Sequence, residues 1–309
     1  MKLLLTGVSS FTGSWFAEAL AAAGHEVVAP LRGTLAGYDA ARQKRVQRLA
    51  GRVRLVESAP FGSEAFLRLL AEAGPFDGLC HHGADVTNYR SPDFDTLGAV
   101  ANNTASLRAV LPALLKANSR AFVVLTGSVF ENDEGRGTEP LRAFSPYGLS
   151  KGLTWQVFRY ACGAAGVPLG KFVIPNPFGP WEEPRFTAFL VRQWKEGKTP
   201  AVQTPDYVRD NIHADLLALA YAGFVAQRAR APEAVLRLNP SGYVETQGAF
   251  ARRFAAEYAR RTGRACPVDL LTQKDFSEPL ERSNLEPVAP QHSGWSETKA
   301  WDAIAAYYA

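Results

Sequence analysis

Cysteine is scarce in this chain of 309 residues: there are three, Cys80, Cys162 and Cys266, far apart and in no CxxC or Cys/His arrangement. An odd, scattered set argues against a disulfide framework and a structural metal, and it suits a reducing compartment. Long apolar runs are missing as well. The opening MKLLLTGVSS has one Lys and three leucines before Thr6-Gly7, short of the apolar stretch of a signal peptide. No segment reaches the roughly 18 uninterrupted apolar residues of a membrane span. An excess of one charge is nearly absent too. The 34 Lys and Arg stand against 30 Asp and Glu, a formal +4 without a basic block, which argues against nucleic acid or a membrane as partner. Repeats and low-complexity tracts are lacking. What remains, 47% apolar and 21% charged, is the composition of a soluble, cytoplasmic, globular protein with one large α/β unit or about two domains.

Short β-branched or apolar runs alternate with longer helical patterns in the first half, the signature of βαβ units and a parallel sheet. Strands are expected at residues 2–6, 26–31, 53–56, 78–82, 121–126 and 169–174. Helices are expected at 11–23, 40–49, 64–73, 93–117 and 146–165, giving a Rossmann-type doubly wound sheet. Pro175, Pro177, Pro180 and Pro184 then forbid a regular helix. Beyond them, helices are expected at 186–195, 214–227, 246–262 and 298–308, with a strand at 235–238 and a polar, Pro-containing tail over 266–290. The reading is a dinucleotide-binding domain over 1–174, with 207–238 returning to it. A smaller substrate-binding domain takes 175–206 and 239–309.

Thr6-Gly7-Val8-Ser9-Ser10-Phe11-Thr12-Gly13 joins the first strand to the first helix. Gly7 permits a tight turn and Gly13 close helix packing, and the N–H groups at the helix start, from Phe11 on, suit a pyrophosphate. Ser10 replaces the middle glycine of the usual spacing, and its Cβ limits how closely a phosphate can approach. The same pattern also serves as a plain strand-to-helix turn. The second strand ends Leu31-Arg32, so the position where an acidic residue would accept from the ribose of NAD is apolar. Arg32 tilts the choice between NAD and NADP toward NADP, although a solvated loop charge reads the same way.

Ser145-Pro146-Tyr147-Gly148-Leu149-Ser150-Lys151 opens a helix with Tyr147 and Lys151 on one face. A phenol exchanges protons at neutral pH only if a cation stabilises its phenolate, and Lys151 supplies one. A hydroxyl to hold the substrate oxygen should project from a neighbouring strand end; Thr126 fits, with Ser128 as the alternative.

In this order, the motifs resemble those of the extended short-chain dehydrogenase/reductases of the NAD-dependent epimerase/dehydratase family, which act mostly on nucleotide sugars. Asp77-Gly78-Leu79-Cys80-His81-His82-Gly83-Ala84 resembles DxxxHxAA, which implies that His82, Gly83 and Ala84 line the cofactor. Asn102 resembles the Asn of NxxGT, with Ala105 and Ser106 in place of Gly and Thr. Asn176-Pro177-Phe178-Gly179-Pro180 resembles NxYGP, and Arg209-Asp210-Asn211-Ile212-His213-Ala214-Asp215 resembles RDFxHVDD. The resemblance implies that Asn176 and Arg209 contact substrate and that Thr126, Tyr147 and Lys151 are catalytic. It also implies a homodimer built through the helices at 93–117 and 146–165. Family 4,6-dehydratases carry Asp-Glu after the Thr, where this chain has Gly127-Ser128. The expected activity is therefore hydride transfer at one sugar carbon, C4, by a 4-epimerase or a 4-ketoreductase, without a metal. A non-catalytic dinucleotide-sensing regulator of the same fold is the alternative.

Overall fold

A computed structural model describes residues 1–274, 278–289, 292 and 294–309. Two compact units divide the chain. The first holds Met1–Glu134, Arg142–Ile174 and Ala218–Leu238, and the second Gly135–Leu141, Pro175–Leu217 and Asn239–Ala309.

A seven-stranded sheet forms the first unit, with strands numbered along the whole chain: β1 (Lys2–Thr6), β2 (Glu26–Pro30), β3 (Arg54–Val56), β4 (Gly78–His81), β5 (Phe122–Ser128), β7 (Leu169–Ile174) and β11 (Val235–Leu238). Their order is β11-β7-β5-β4-β1-β2-β3, and all pairs are parallel. The seventh strand is the one read at 235–238. Helices cover both faces, which is why the inner strands are apolar along nearly their whole length rather than at alternate positions. On one face α3 (Glu64–Ala73), α5 (Leu107–Ala117) and α6 (Pro146–Ala165) bury Phe66, Leu111, Trp155 and Phe158 against Leu4, Leu79, Val123 and Leu125. On the other, Phe16 of α1 (Phe11–Ala22) stacks on Tyr221 of α8 (Ala214–Arg228) at 4.0 Å, and Phe172 of β7 meets Tyr221 edge-on.

Local chemistry sets the helix ends. Ser10, Ser63 and Ser145 cap α1, α3 and α6 through their side-chain oxygens, and Asp39 caps α2 (Ala40–Gln47). Pro146 occupies the first turn of α6, and Gly166 closes it in the left-handed conformation. The single helix expected over 93–117 is two: α4 (Thr96–Asn103) ends before Ser106, whose φ of 51° lies in the left-handed region, and α5 follows. Apolar spacing runs through the break, so periodicity alone could not reveal it.

In the second unit β6 (Arg136–Gly137), β8 (Asn176–Phe178), β10 (Val208–His213), β13 (Tyr243–Thr246) and β15 (Glu281–Ser283) form one sheet. Two small pairs, β9 (Ala201–Val202) with β14 (Asp269–Leu270) and β12 (Pro240–Ser241) with β16 (Glu286–Pro287), accompany it. Its core gathers Phe178, Trp194 of α7 (Phe186–Lys195), Phe254 of α9 (Gln247–Thr262) and Trp301 of α10 (Glu297–Tyr308). Trp295 donates to Asp215 at 3.0 Å and stands beside His213.

Two expectations are corrected, and the tail gains detail. Residues 207–217 belong to the second unit, because β10 pairs with β8, β13 and β15. Residues 135–141 belong there as well, because β6 pairs with β15. The tail over 266–290 contains β14, β15 and β16, strands too short to show alternation; its residues 275–277 and 290 lie outside the described residues.

Candidate active site

In the first unit the order β4-β1-β2 places the topological switch at β1, where a crevice opens at the carboxyl ends of the strands. Thr6 is level with His81, and His81 with Leu125, so the loops after β1, β4 and β5 emerge side by side. The turn after β1 depends on its glycines. Gly7 has φ +79°, and a Cβ there would sit 2.7 Å from Gly83 N; one on Gly13 would sit 2.1 Å from Gly7 O. Thr6 Oγ1 accepts from Gly83 N at 2.9 Å and ties the two loops together. Phe11, first in α1, is buried.

Ser10 caps α1 from the position of the missing glycine. Its Oγ accepts from Gly13 N at 3.0 Å and donates to Gly7 O at 2.8 Å. His82 Nε2 lies 3.0 Å from that Oγ and 3.1 Å from Thr12 Oγ1, while its Nδ1 is buried without a hydrogen-bond partner. His81 turns the other way, between Phe61 and Phe158, with Thr6 Oγ1 at 3.1 Å and Asn103 O at 3.0 Å. Burial, with the nearby Lys151 charge second, pushes both imidazoles down to about 3, so both are neutral at pH 7. The two-glycine turn, the helix start, the neutral imidazole with an open nitrogen and the exposed Arg32 at the end of β2 fit a dinucleotide.

α6 carries Tyr147 and Lys151 one turn apart. The half-buried Tyr147 ring stands edge-on to Tyr89 at 5.5 Å, Phe94 at 6.0 Å and Phe130 at 6.4 Å. The buried Lys151 Nζ donates to Thr126 O at 2.5 Å. Burial lowers the Lys151 ammonium to about 8, with Glu131 opposing the shift and Lys171 adding to it. The structure thus joins Lys151 to Thr126, but through the carbonyl. Leu125 faces the α6 side, so Thr126 turns its side chain to the other face. There its hydroxyl and that of Tyr221 lie near one another and Cys80 without a hydrogen bond of good geometry. The Thr126 hydroxyl, expected beside the Tyr147 phenol, thus lies on the opposite face of β5. Ser128, half-buried, accepts from Phe130 N at 3.2 Å.

Other expected residues are more dispersed. Arg32 N donates to Tyr38 Oη at 3.0 Å. Gly83 and Ala84 line the loop after β4, half-buried. Asn102 is exposed and donates to Asp85 at 3.1 Å. In the second unit, Asn176 is level with Asn211. Arg209 there lies over the Tyr207 ring at 4.0 Å and pairs with Glu278 at 3.0 Å.

Two features escaped the sequence reading. Asn103, next to the expected Asn102, is the buried member of the pair; it accepts from Asp85 N at 2.8 Å and donates to Thr154 at 3.2 Å. Its neighbour made the better motif match, and helix phase was the available signal. The second feature is a buried charge cluster. Lys171 of β7 contacts Glu131 and Glu134 at 2.5 Å each and lies 4.7 Å over the Trp155 ring, and Arg237 also pairs with Glu134. A lysine inside an otherwise apolar strand was the signal for it.

The sequence profile of the NAD dependent epimerase/dehydratase family matches residues 3–236. The chain belongs to that family. Solved family structures have the same fold. The UDP-glucose-4-epimerase of Stenotrophomonas maltophila, with bound NAD and formylated UDP-arabinopyranose, superposes with a TM-score of 0.73 at 20% identity, over 100% of this chain and 98% of that one. The Thermus thermophilus UDP-glucose 4-epimerase in complex with NAD gives 0.70 at 20%, over 100% and 99%. A dTDP-glucose 4,6-dehydratase of Streptomyces venezuelae with NAD bound gives 0.71 at 20%, over 100% and 97%. No curated protein sequence matches the chain. Among the described residues, no helix is long and apolar enough to cross a membrane, and no group of three or more His, Cys, Asp or Glu could hold a metal ion.

Proposed function

We propose that the protein is a dinucleotide-dependent oxidoreductase of nucleotide sugars that transfers hydride at C4, as a 4-epimerase or a 4-ketoreductase. The observation that carries this reading is the buried Lys151, one helical turn from Tyr147 and bonded to the end of β5. When bound, the dinucleotide supplies the hydride acceptor and donor. Tyr147 Oη takes the proton of the C4 hydroxyl as that carbon becomes a ketone, and returns it when the carbon is reduced again. The Lys151 charge stabilises the phenolate. Ser128, half-buried at the end of β5, is the proposed hydroxyl for the substrate oxygen, because that of Thr126 is buried beside Tyr221 and Cys80 on the other face of the strand. Ser10, His82, Gly83, Ala84 and Asn102 are the proposed cofactor contacts beside Gly7, Phe11 and Gly13; Asn176 and Arg209 are those of the nucleotide.

The residues after Thr126 argue against 4,6-dehydration. Neither Gly127 nor Ser128 offers the acid that family dehydratases carry after the Thr, and Glu131 and Lys171 fill the space beside Gly127. Arg32 favours NADP, while the bound NAD of the similar structures favours NAD. Exposed Leu97 on α4 and Val157 and Tyr160 on α6 suit a homodimer face, and free Cys80, Cys162 and Cys266 suit the cytoplasm.

The test is to release bound nucleotide with acid, identify it, and screen nucleotide sugars by thermal shift with each dinucleotide. Retained NAD with interconversion of C4 epimers supports the epimerase. An exchangeable NADPH with 4-keto sugar reduction supports the reductase. Dinucleotide binding without turnover of any 4-hydroxy or 4-keto nucleotide sugar rejects both in favour of a sensing regulator.

A further inference from the structure

Lys151 is held against the end of β5 by its bond to Thr126 O, and two residues further on Glu131 holds the same strand end. Glu131 Oε1 accepts from Ser128 N at 2.7 Å, and its Oε2 is 2.5 Å from Lys171 Nζ. The carboxylate is fully buried. The turn that carries it packs tightly on α6, against the two glycines that bracket Lys151. A Cβ on Gly148 would lie 2.2 Å from Phe130 O, and one on Gly152 would lie 2.5 Å from Asn132 Oδ1 and 3.9 Å from Glu131 Cβ. Gly127 in turn leaves the space that Glu131 and Lys171 fill. Three glycines thus bring one carboxylate into the angle between β5 and α6, next to the helix turn that bears the lysine.

We propose that Glu131 is a positioning residue whose buried carboxylate fixes the end of β5 and supplies the counter-charge that keeps Lys151 protonated beside Tyr147. This rests on the catalytic reading of Tyr147 and Lys151. The charged and titratable groups around Glu131 and Lys151 are Lys171 from β7, Glu134 from the same turn, Arg237 from β11, Tyr147 from α6 and the neutral His81 and His82 at the end of β4; burial pushes the Glu131 carboxyl up, and the Lys171 and Lys151 charges oppose that rise. Glu131 and Lys171 act on Lys151 with opposite signs. The carboxylate favours the ammonium, and the second ammonium opposes it. Lys171 therefore needs its own carboxylates, and Glu134 answers it from the other side. A lysine this deeply buried loses its proton readily unless an anion faces it.

The chain has nine lysines, few enough for 13C NMR of lysine-labelled protein, with the Lys151 signal assigned by its loss in Lys151→Met. In Glu131→Gln, which keeps an oxygen for Ser128 N, the Lys151 titration midpoint is expected to fall by on the order of one pH unit. In Lys171→Met it is expected to rise. Damage to packing would move both variants in the same direction, whereas the electrostatic role moves them oppositely. If one variant does not fold, the sign in the other decides. A midpoint unchanged in Glu131→Gln, or shifts of the same sign in both variants, overturns the proposal. The titration needs no substrate, so the wrong sign refutes the role of Glu131 alone, while failure of every nucleotide sugar refutes the activity alone.

Discussion

Tyr147 and Lys151 divide the acid–base chemistry between a half-buried phenol and a buried cation, so their variants differ in kind. Tyr147→Phe is expected to lower kcat by ~10²–10⁴-fold on the identified substrate, with dinucleotide binding unchanged by calorimetry. Because burial leaves the Lys151 ammonium titrating at about 8, kcat should fall as pH rises through that value; a profile flat from pH 7 to 9 would count against the role of the cation. Ser10→Gly removes the side-chain cap of α1, which costs a few tenths of a kcal/mol against a glycine cap. Thermal melts should register that small loss while dinucleotide affinity rises, since the Cβ near the phosphate is gone. That Tyr147 and Lys151 share one face of α6 was legible from their spacing, and the opposite orientations of His81 and His82 followed from strand alternation. The side of β5 on which the Thr126 hydroxyl falls was not legible, because a motif fixes a position but not which face of a sheet it takes. Glu131 and Lys171 stayed hidden for a related reason: a charge in sequence reads as surface until a partner distant along the chain is brought against it.

At the level of elements, the seven parallel strands and most helix boundaries could be read from apolar runs, capping serines and Gly or Pro stops. The break between α4 and α5 could not, because its cause is a single backbone conformation. Ser106 occupies the left-handed region without the freedom of glycine. Ser106→Gly should relieve that strain and stabilise the first unit by ~1 kcal/mol, read as a higher urea midpoint. The turn after β1 behaves in the opposite sense. Gly7→Ala combines a positive φ with a Cβ 2.7 Å from Gly83 N, so it should destabilise the unit and weaken dinucleotide binding together.

Across the whole molecule, acid should act through histidines that belong to both units. His81 and His82 in the first unit and His213 in the second are each pushed down to about 3 by burial, against 6.5 for an exposed ring. Between those values the unfolded chain binds the proton and the folded chain does not. The stability contribution is therefore complete above pH 6.5 and is lost as pH falls toward 3, by up to about 1.4 kcal/mol per pH unit for each ring. Urea titrations should show a clearly lower midpoint at pH 5 than at pH 7.5, and equal midpoints would contradict it.

The chain passes between its two units five times. The pairing of β6 with β15 shows what this means during synthesis, since Gly137 is matched to Arg282, about 145 residues later. At ~5–20 residues per second a ribosome needs roughly 7–30 s to deliver that partner. Throughout that time residues 135–141 are an unpaired loop emerging from a sheet still under construction, with Arg136 open to trypsin-like proteases or to chaperones. Stalled nascent chains that end before Glu281 should be cut there, and released full-length chains should not.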